Sequence, residues 1–315
     1  MSLVDCPVTY LEGDRYRGRF APSPSGNLHF GSLCTSLASY LRAKQNNGQW
    51  LLRIDDIDTP RIVPGSAQNI QNTLLAHGLV WDEDVFLQSE QIPRYRDVLS
   101  WLESQQKVYR CNCSRKAIRA LGTNYTGVCR DKRDVTAPYA IRFKNDLAIT
   151  EFEDVVQGMV SIDQNVASED FVLWRRDDLV AYHLAAALDD IEQGITEIVR
   201  GADLIQPSAC QLNLFRLFSI PSPKYLHIPV AESKKGFKLS KQNHAIELNN
   251  QNARDNLFYA LRFIGAAPPI ELRTASVDEL IQWGISHWRV QMLASSTAIL
   301  LSEIIDNKEY IDSIS

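Results

Sequence analysis

Two segments that lie far apart in the chain carry residues suited to gripping a polyphosphate. The first runs from Arg19 to Ser32, where Gly26 lets the backbone approach a bulky ligand. A helix expected to begin near residues 28–30 would point its unpaired amide groups and the positive end of its dipole at a phosphate. His29 can donate a hydrogen bond to phosphate oxygens there, and Gly31 leaves room for an adenine or a ribose. Taken alone, the segment fits a proline-rich turn that caps an ordinary helix equally well.

The second segment is a lysine-rich loop, residues 234–241, with four lysines in eight positions around Gly236. Such a loop can close on a triphosphate and offset the negative charge that builds up in a transition state. On its own, a lysine run is more often a solvated turn. Together, the two segments would grip a triphosphate from two sides, and they predict nucleotidyl transfer.

A third group consists of Cys111, Cys113 and Cys129, whereas the other three cysteines stand alone in the sequence. Cys111 and Cys113 project to one face of an extended segment, and Tyr125 and Cys129 share one face of a helical turn. In a reducing compartment such a cluster more often binds metal than forms disulfides. Thiolates favour Zn²⁺ with four ligands, but no histidine is close, and a tyrosine with a pKa of about 10 is an awkward fourth ligand. The alternative is three buried thiols without metal.

Composition limits the classes of function that the chain can have. Its 315 residues are 45% hydrophobic and 23% charged, as in an ordinary soluble globular protein, and its formal net charge is −5. This charge argues against coating nucleic acid by bulk electrostatics, so a nucleic-acid substrate would need a local basic face. Residues 1–16 lack the pattern of a signal peptide, and no apolar run approaches the ~20 residues needed to span a bilayer. We therefore expect a cytoplasmic protein without a membrane partner.

The elements around these residues alternate between strands and helices. A strand over 17–21, a helix over 28–43 and a buried strand over 50–55 form a β-α-β unit. Further predicted elements are helices over 68–78, 94–107, 182–190 and 253–264 and strands over 171–174 and 197–201. The alternation predicts an α/β fold with a doubly wound parallel sheet, which binds ligands beyond the carboxyl ends of its strands. The predicted divisions are a first half of the sheet domain at 1–108, an insertion at 109–138, a second half at 139–248 and a helical C-terminal region at 249–315.

The first segment and the lysine-rich loop resemble the HIGH-type and KMSKS-type signatures of class I aminoacyl-tRNA synthetases. The stretches 52–58, 182–185 and 195–203 resemble the glutamyl branch of that family, in the family's order. The resemblance implies a Rossmann-like catalytic domain that uses ATP accompanied by Mg²⁺. The catalytic residues that it implies are His29, Lys238 and Lys241, and the implied ATP contacts are His29, Gly31, Ser240 and Lys241.

The same resemblance implies a pocket for L-glutamate. Two carboxylates and one ammonium need two cationic or dipolar anchors and one anionic anchor, and the planar fork of arginine suits a carboxylate best. Arg19 and Arg200 fit the carboxylates, although which takes which stays open, while Asp55 fits the ammonium. The other implied contacts are Phe20, Ala21, Pro22, Ser23 and Tyr182. Asp55 stands where relatives usually carry glutamate; taken singly it fits a solvated turn, as Arg200 fits a structural ion pair.

The cysteine segment resembles the glutamyl-queuosine tRNA(Asp) synthetases, whose site consists of Cys-x-Cys, a tyrosine and a cysteine. This implies one structural zinc held by Cys111, Cys113, Tyr125 and Cys129. About 70 residues follow Lys241, so we expect a short helical region in place of an anticodon-binding domain. The resemblance then implies a monomer that makes glutamyl-adenylate from L-glutamate and ATP and transfers glutamate to queuosine in the anticodon of tRNA(Asp).

Other functions stay open on the sequence alone. The chain could aminoacylate a tRNA 3′ end, as a conventional glutamyl-tRNA synthetase does. It could also be a non-catalytic paralogue that binds amino acid or RNA, or a small-molecule adenylyltransferase of the same superfamily. The intact Arg19, His29 and Lys241 argue against the paralogue, and an adenylyltransferase would not need the pair of Tyr182 and Arg200.

Overall fold

A sheet of seven strands forms the centre of the molecule. The structure, a computed structural model, describes residues 6–11, 13, 15–121, 125, 127–239 and 245–314. The strands are β1 (Arg17–Phe20), β2 (Gln49–Ile54), β3 (Phe86–Leu87), β4 (Val108–Cys111), β5 (Ala140–Phe143), β6 (Glu151–Asp154), β7 (Gly158–Ser161), β8 (Val172–Trp174), β9 (Glu197–Gly201), β10 (Lys224–Ile228), β11 (Val230–Lys234), β12 (Phe237–Lys238) and β13 (Ala298–Leu300). The helices are α1 (Phe30–Gln45), α2 (Ser66–Ala76), α3 (Ile92–Ser104), α4 (Arg115–Leu121), α5 (Gln164–Ala167), α6 (Tyr182–Glu192), α7 (Ser208–Leu217), α8 (Ala253–Phe263), α9 (Val277–His287), α10 (Leu301–Ile304) and α11 (Lys308–Ile314).

The order of the central strands is that of a doubly wound fold. It runs β3-β2-β1-β9-β10-β6-β7, and every neighbouring pair is parallel except the hairpin of β6 and β7. From β1 the chain builds outward to β2 and β3, whereas β9 and β10 build in the other direction. The carboxyl ends of β1 and β9 therefore flank the crevice at which such sheets bind ligands. The predicted α/β fold is confirmed.

Apolar cores lie on both faces of this sheet. Leu52 and Val199 belong to the core formed with α1, α8 and α9. Their chain neighbours Leu51 and Ile198 point to the other face, where they pack with Leu212 of α7. Because both faces are covered, successive residues such as Trp50, Leu51 and Leu52 of β2 are apolar instead of alternating with polar residues.

Helix α1 positions the first of the two predicted phosphate-binding segments. Leu33, Leu37 and Leu41 recur every four residues and are fully buried, which fixes one face of the helix against the sheet and α8. The helix begins directly after His29, so this residue lies at its N-cap. The predicted start near residues 28–30 is confirmed.

Two smaller sheets flank the central one. β4, β5 and β8 form an antiparallel sheet, so the predicted strand at 171–174 lies outside the central sheet. The other has the order β12-β11-β13 and joins the hairpin that carries Lys238 to the C-terminal region. Sequence reasoning missed β10, β13 and α7. In the part of the chain that the structure describes, no helix is both long and apolar enough to cross a membrane.

Candidate active site

A cavity of about 290 Å³ lies at the carboxyl ends of β1 and β9. The N-terminus of α1 forms one wall, and the β11–β12 hairpin forms another. The lining residues are Arg19, Phe20, Ala21, Pro22, Ser23, Ser25, Leu28, His29, Gly31, Ser32, Thr35, Tyr182, Val199, Arg200, Gly201, Asp203, Leu204, Pro229, Val230, Ala231, Lys238 and Leu239. The cavity thus occupies the position at which a doubly wound sheet binds its ligand.

Most of the predicted substrate and catalytic residues meet in this cavity. Those that line it are Arg19, Phe20, Ala21, Pro22, Ser23, His29, Gly31, Tyr182, Arg200 and Lys238. Asp55 does not line it and lies at a smaller pocket beside Ser23. Ser240 and Lys241, the remaining two predicted ATP contacts, lie outside the described residues.

His29 is oriented by the first turn of α1. Its Nδ1 accepts a hydrogen bond from the backbone N–H of Ser32 at 3.3 Å. A neutral imidazole that accepts at Nδ1 carries its proton on Nε2, so Nε2 is the atom that can donate to an anion. A Cβ added at Gly31 would lie 3.2 Å from Cε1 of His29 and would crowd the imidazole. Glycine at this position therefore lets the imidazole of His29 keep its orientation. The arrangement suits a phosphate at the start of the helix.

Arg19, on β1, belongs to a buried ionic network beneath the cavity. Its Nε donates to Oδ1 of Asp190 at 3.0 Å, and its Nη2 donates to Oδ2 at 3.4 Å. Asp190, on α6, also accepts from Nη1 of Arg53 at 2.8 Å. Burial opposes ionisation of Asp190, but the charges of Arg19 and Arg53 outweigh it and lower its pKa. Arg19 is therefore held firmly, with part of its charge offset by Asp190.

Asp55 is paired with a protein cation. Its Oδ1 accepts a hydrogen bond from Nε of Arg53 at 3.0 Å, and both side chains are buried. Burial raises the pKa of Asp55, although the charge of Arg53 acts in the opposite direction. Asp55, which is predicted to bind the substrate ammonium, is thus hydrogen-bonded to Arg53 beside the cavity and does not line the cavity itself.

Arg200, on β9, differs from Arg19 because its described hydrogen-bond partners are not carboxylates. Among the described residues, it donates hydrogen bonds to Nε2 of His227 at 3.1 Å, Oε1 of Gln211 at 2.7 Å and Oγ of Ser208 at 2.6 Å. None of these acceptors is a carboxylate, and no Asp or Glu among the described residues forms an ion pair with Arg200. The residue is 4% exposed. A buried guanidinium without a carboxylate partner favours an anionic ligand.

Tyr182 and Lys238 lie on other sides of the cavity. Tyr182 is the first residue of α6, and its ring packs edge-on against that of His183. Lys238, on β12, forms an ion pair of 2.5 Å with Asp203, which follows β9. This ion pair ties the hairpin to the end of β9, and a bound polyphosphate would compete with Asp203 for the lysine.

Sequence reasoning missed the polar residues that hold the two arginines. His227 and Asp154 lie behind Arg200, and Asp190 lies behind Arg19. A usable signal existed, because His227 interrupts an apolar strand and Asp190 ends an alanine- and leucine-rich stretch of α6. A polar residue in an apolar run is expected to be buried and hydrogen-bonded.

Cys111, at the end of β4, forms a separate cluster with Cys113 and Cys129, which lie between β4 and β5. Their Sγ atoms all lie within 4.8 Å of one another, and those of Cys113 and Cys129 are 3.5 Å apart. Sulfurs that each lie ~2.3 Å from a tetrahedral ion are about 3.8 Å apart, so the three thiols could hold a metal ion. The hydroxyl of Tyr125 accepts the backbone N–H of Cys129 at 3.0 Å. Burial raises the pKa of Tyr125, so its oxygen would become a strong ligand only if a cation displaced the proton.

Comparison with known proteins identifies the family of this chain. The family described as tRNA synthetases class I (E and Q), catalytic domain, matches residues 15–282. A glutamyl-Q tRNA(Asp) synthetase of Idiomarina loihiensis is 49% identical over 273 residues, which cover 87% of this chain and 96% of the relative. The proteins of the same name from Vibrio parahaemolyticus and Escherichia coli K12 are 46% and 44% identical, over 90% of this chain and 96% and 92% of their own lengths.

Solved structures support the fold. A glutamate tRNA ligase from Elizabethkingia meningosepticum, in complex with its amino acid, superposes with a TM-score of 0.75 at 24% identity. The match covers 90% of this chain and 67% of that chain. A glutamate-tRNA synthetase from Elizabethkingia anophelis gives the same TM-score and identity. The chain therefore belongs to the class I tRNA synthetases of the E and Q type, a family of ligases, and within it to the group of the glutamyl-Q tRNA(Asp) synthetases.

Proposed function

We propose that this protein activates L-glutamate with ATP and transfers the glutamyl group to queuosine in the anticodon of tRNA(Asp). The observation that carries the proposal is that His29, Lys238, Arg19 and Arg200 all line the same cavity. It combines donors for a polyphosphate with two guanidinium groups for a dicarboxylic amino acid. The relatives at 44–49% identity, which bear the name of this activity, support the choice of acceptor.

The proposed reaction has two steps. In the first, a carboxylate oxygen of glutamate attacks the α-phosphorus of ATP, which gives glutamyl-adenylate and releases pyrophosphate. In the second, a hydroxyl of the queuosine cyclopentene-diol attacks the acyl carbon and AMP leaves. Mg²⁺ would accompany ATP and offset the negative charge of its phosphates. The protein contributes placement and charge: Nε2–H of His29 and the first amides of α1 face the phosphates, and Lys238 approaches from the hairpin.

The two arginines would take the two carboxylates of glutamate. Arg19 is anchored on Asp190, and Arg200 is anchored on neutral partners. Both are buried at the cavity wall, where a charge-assisted hydrogen bond is stronger than in water. Tyr182, which is 37% exposed, lines the same cavity and could present its hydroxyl to the substrate. Asp55 would serve the ammonium if it turned from Arg53 toward the cavity.

Activation can be tested without any tRNA. We expect glutamate-dependent exchange of pyrophosphate into ATP, with glutamine at least about a hundredfold poorer, because an amide leaves the charge of one arginine unpaired. Absence of exchange with glutamate would rule out the adenylate step. Such a result would favour the non-catalytic paralogue.

The proposed RNA substrate needs a basic surface, and the insertion at 109–138 supplies one. This segment holds seven Lys or Arg and only two Asp or Glu, within a chain of net charge −5. Six of the basic side chains are exposed: Arg110, Arg115, Lys116, Arg119, Lys132 and Arg133. We propose that this surface, the basic insertion, contacts phosphates of the tRNA.

Neutralising part of the basic insertion should weaken RNA binding in a salt-dependent way. Arg115 and Arg119 lie one turn apart on α4. In the double variant Arg115→Gln/Arg119→Gln, the magnitude of the slope of log K against log salt should fall by about 1.4 to 1.8, since each lost phosphate contact removes ~0.7–0.9. Binding of tRNA(Asp) across a salt series measures this. The control variant Lys224→Gln/Lys308→Gln removes two exposed lysines elsewhere, and an equal loss there would refute a role specific to the insertion.

We further propose that the cysteine cluster holds one structural zinc, with Tyr125 as its fourth ligand. The spacing of the three sulfurs and the proximity of the Tyr125 hydroxyl support this donor set. Zinc would cross-link the segment between β4 and β5, which also carries the basic insertion. The ion would thereby hold α4 in place.

Metal analysis can test the zinc proposal apart from activity. We expect one zinc per chain in the purified protein and none in Cys111→Ser. Tyr125→Phe should retain less zinc than the parent protein against a competing chelator. Cys6→Ser, outside the cluster, should keep its zinc. A full complement of zinc in Cys111→Ser would refute this ligand set.

A further inference from the structure

The feature of interest is the set of groups behind Arg200. Arg200 on β9 and His227 on β10 lie directly opposite each other on adjacent parallel strands. Nε of Arg200 donates to Nε2 of His227 at 3.1 Å, and Nδ1 of His227 lies 2.7 Å from Oδ2 of Asp154. All three side chains are buried. The two strands and the β6–β7 hairpin therefore build a fixed chain from Asp154 through His227 to Arg200.

The protonation state of His227 follows from these partners. An arginine Nε always carries a proton, so Nε2 of His227 must accept and cannot carry one. The single ring proton then sits on Nδ1 and is donated to Asp154. Burial lowers the pKa of His227, and the charge of Arg200 lowers it further, against the hydrogen bond to Asp154. His227 is thus a neutral ring placed between a carboxylate and a guanidinium.

Asp154 is committed elsewhere and does not reach Arg200. Its Oδ1 accepts the backbone N–H groups of Val156 and Gln157, each at 2.9 Å, and its Oδ2 accepts the backbone N–H of His227 at 3.0 Å. The imidazole separates this carboxylate from the guanidinium. The carboxylate of Asp154 is therefore hydrogen-bonded to backbone amides and to Nδ1–H of His227.

The other partners of Arg200 are uncharged as well. Gln211 and Ser208, both on α7, accept from Nη1 and Nη2 at 2.7 and 2.6 Å. The ring of Tyr225 lies under the guanidinium, 5.0 Å from Cζ. Three of the five N–H donors of Arg200 are used in this way, and one hydrogen on each of Nη1 and Nη2 remains for a ligand. Arg19 contrasts with it, because its side-chain hydrogen bonds to described residues both go to the carboxylate of Asp190.

We propose that His227, Gln211 and Ser208 form a neutral cage that places Arg200 while leaving its positive charge uncompensated for a substrate carboxylate. His227 and Gln211 are then positioning residues that determine specificity, although neither need touch the substrate. This inference rests on the proposed function, since it takes the carboxylate to be one of glutamate. An acidic residue in the cage would satisfy the same hydrogen bond but neutralise the charge that selects the ligand.

The cage offers an isosteric test. Gln211→Glu keeps the shape of the side chain and an oxygen facing Nη1, and the new carboxylate gains Arg200 as a partner, which favours folding. We expect it to raise the KM for glutamate in pyrophosphate exchange at least about tenfold, with the KM for ATP changed less than about twofold. His227→Gln is the neutral counterpart, because an amide can accept from Arg200 and donate to Asp154 as the imidazole does. It should stay within about fivefold of the parent KM for glutamate.

The outcomes separate two failures. Parent protein that shows no exchange with glutamate overturns the proposed function and this inference with it. Parent protein that exchanges, beside a Gln211→Glu variant with an unchanged KM for glutamate, overturns the neutral cage alone. A KM for glutamate raised as far in His227→Gln as in Gln211→Glu would also overturn it, because shape rather than charge would then matter. A lower kcat with both KM values unchanged would assign the two residues a purely structural role.

Discussion

Replacing Arg200 with glutamine is expected to raise the KM for glutamate at least about 30-fold in pyrophosphate exchange, with little change in the KM for ATP. Truncating one partner of a buried, charge-assisted pair costs roughly 2–5 kcal/mol. Arg200 has no carboxylate partner among the described residues. Its positive charge is therefore fully available to attract a substrate carboxylate. The proposed ATP site is at the start of α1, another wall of the cavity, so the KM for ATP should be spared.

Arg262→Gln provides the matched control for this substitution. Arg262, on α8, pairs with Asp306 at the surface at 3.2 Å. Its removal should leave both KM values within about twofold, since surface ion pairs contribute ~0–1 kcal/mol. An Arg200→Gln variant with parental KM for glutamate would contradict the assignment of Arg200 to a substrate carboxylate. Arg200→Lys should recover only part of the affinity, because lysine keeps the charge but loses the planar fork.

The second large effect is expected on stability. Asp190→Asn should lower the free energy of unfolding by about 3–5 kcal/mol, because it leaves the guanidinium groups of Arg19 and Arg53 buried beside a neutral amide. Asparagine preserves the size of the side chain, so lost packing contributes little. Urea denaturation at pH 7 measures the change. A loss of unfolding free energy below 1 kcal/mol would contradict the claim that Asp190 compensates the buried charges of Arg19 and Arg53.

The pH dependence of the same variant gives a further check with a defined sign. The folded-state pKa of Asp190 is lowered, so its contribution to stability is complete above its unfolded pKa of about 3.9. That contribution disappears as the pH falls through the lower folded-state pKa. The difference in unfolding free energy between parent and Asp190→Asn should therefore be constant from pH 5 to 7 and should shrink below about pH 4. A difference that grew on acidification would have the wrong sign.

The residues that the sequence could reveal are those whose chemistry is visible locally. Arg19, His29 and Arg200 lie in recognisable motifs beside strand ends and a helix start, and all three line the cavity. The β-α-β pattern around α1 was visible for the same reason, since apolar periodicity and a helix-start signal lie within one short stretch. These parts depend on contacts near in sequence.

The parts that escaped prediction depend on contacts that are distant in sequence. The hydrogen bond from Arg53 to Asp55 belongs to a network that Asp190 joins from α6, and contact of Asp55 with the substrate ammonium stays a prediction. His227 gains its role only because β10 pairs with β9 in a register that brings it opposite Arg200. β13 is three residues long and exists as a strand only through its pairing with β11. A local sequence pattern predicts neither the register of paired strands nor the partner of a buried charge.

The central claim is that the acceptor is queuosine in the anticodon, and glutamate transfer to tRNA(Asp) with and without this base tests it most directly. With labelled glutamate and ATP, we expect tRNA(Asp) that contains queuosine to become labelled and queuosine-free tRNA(Asp) to remain unlabelled. Both tRNAs have an intact 3′-terminal diol, so the comparison isolates the modified base. Equal labelling of the two tRNAs, or efficient labelling of tRNA(Glu), would contradict the account and identify a 3′-end aminoacylating enzyme.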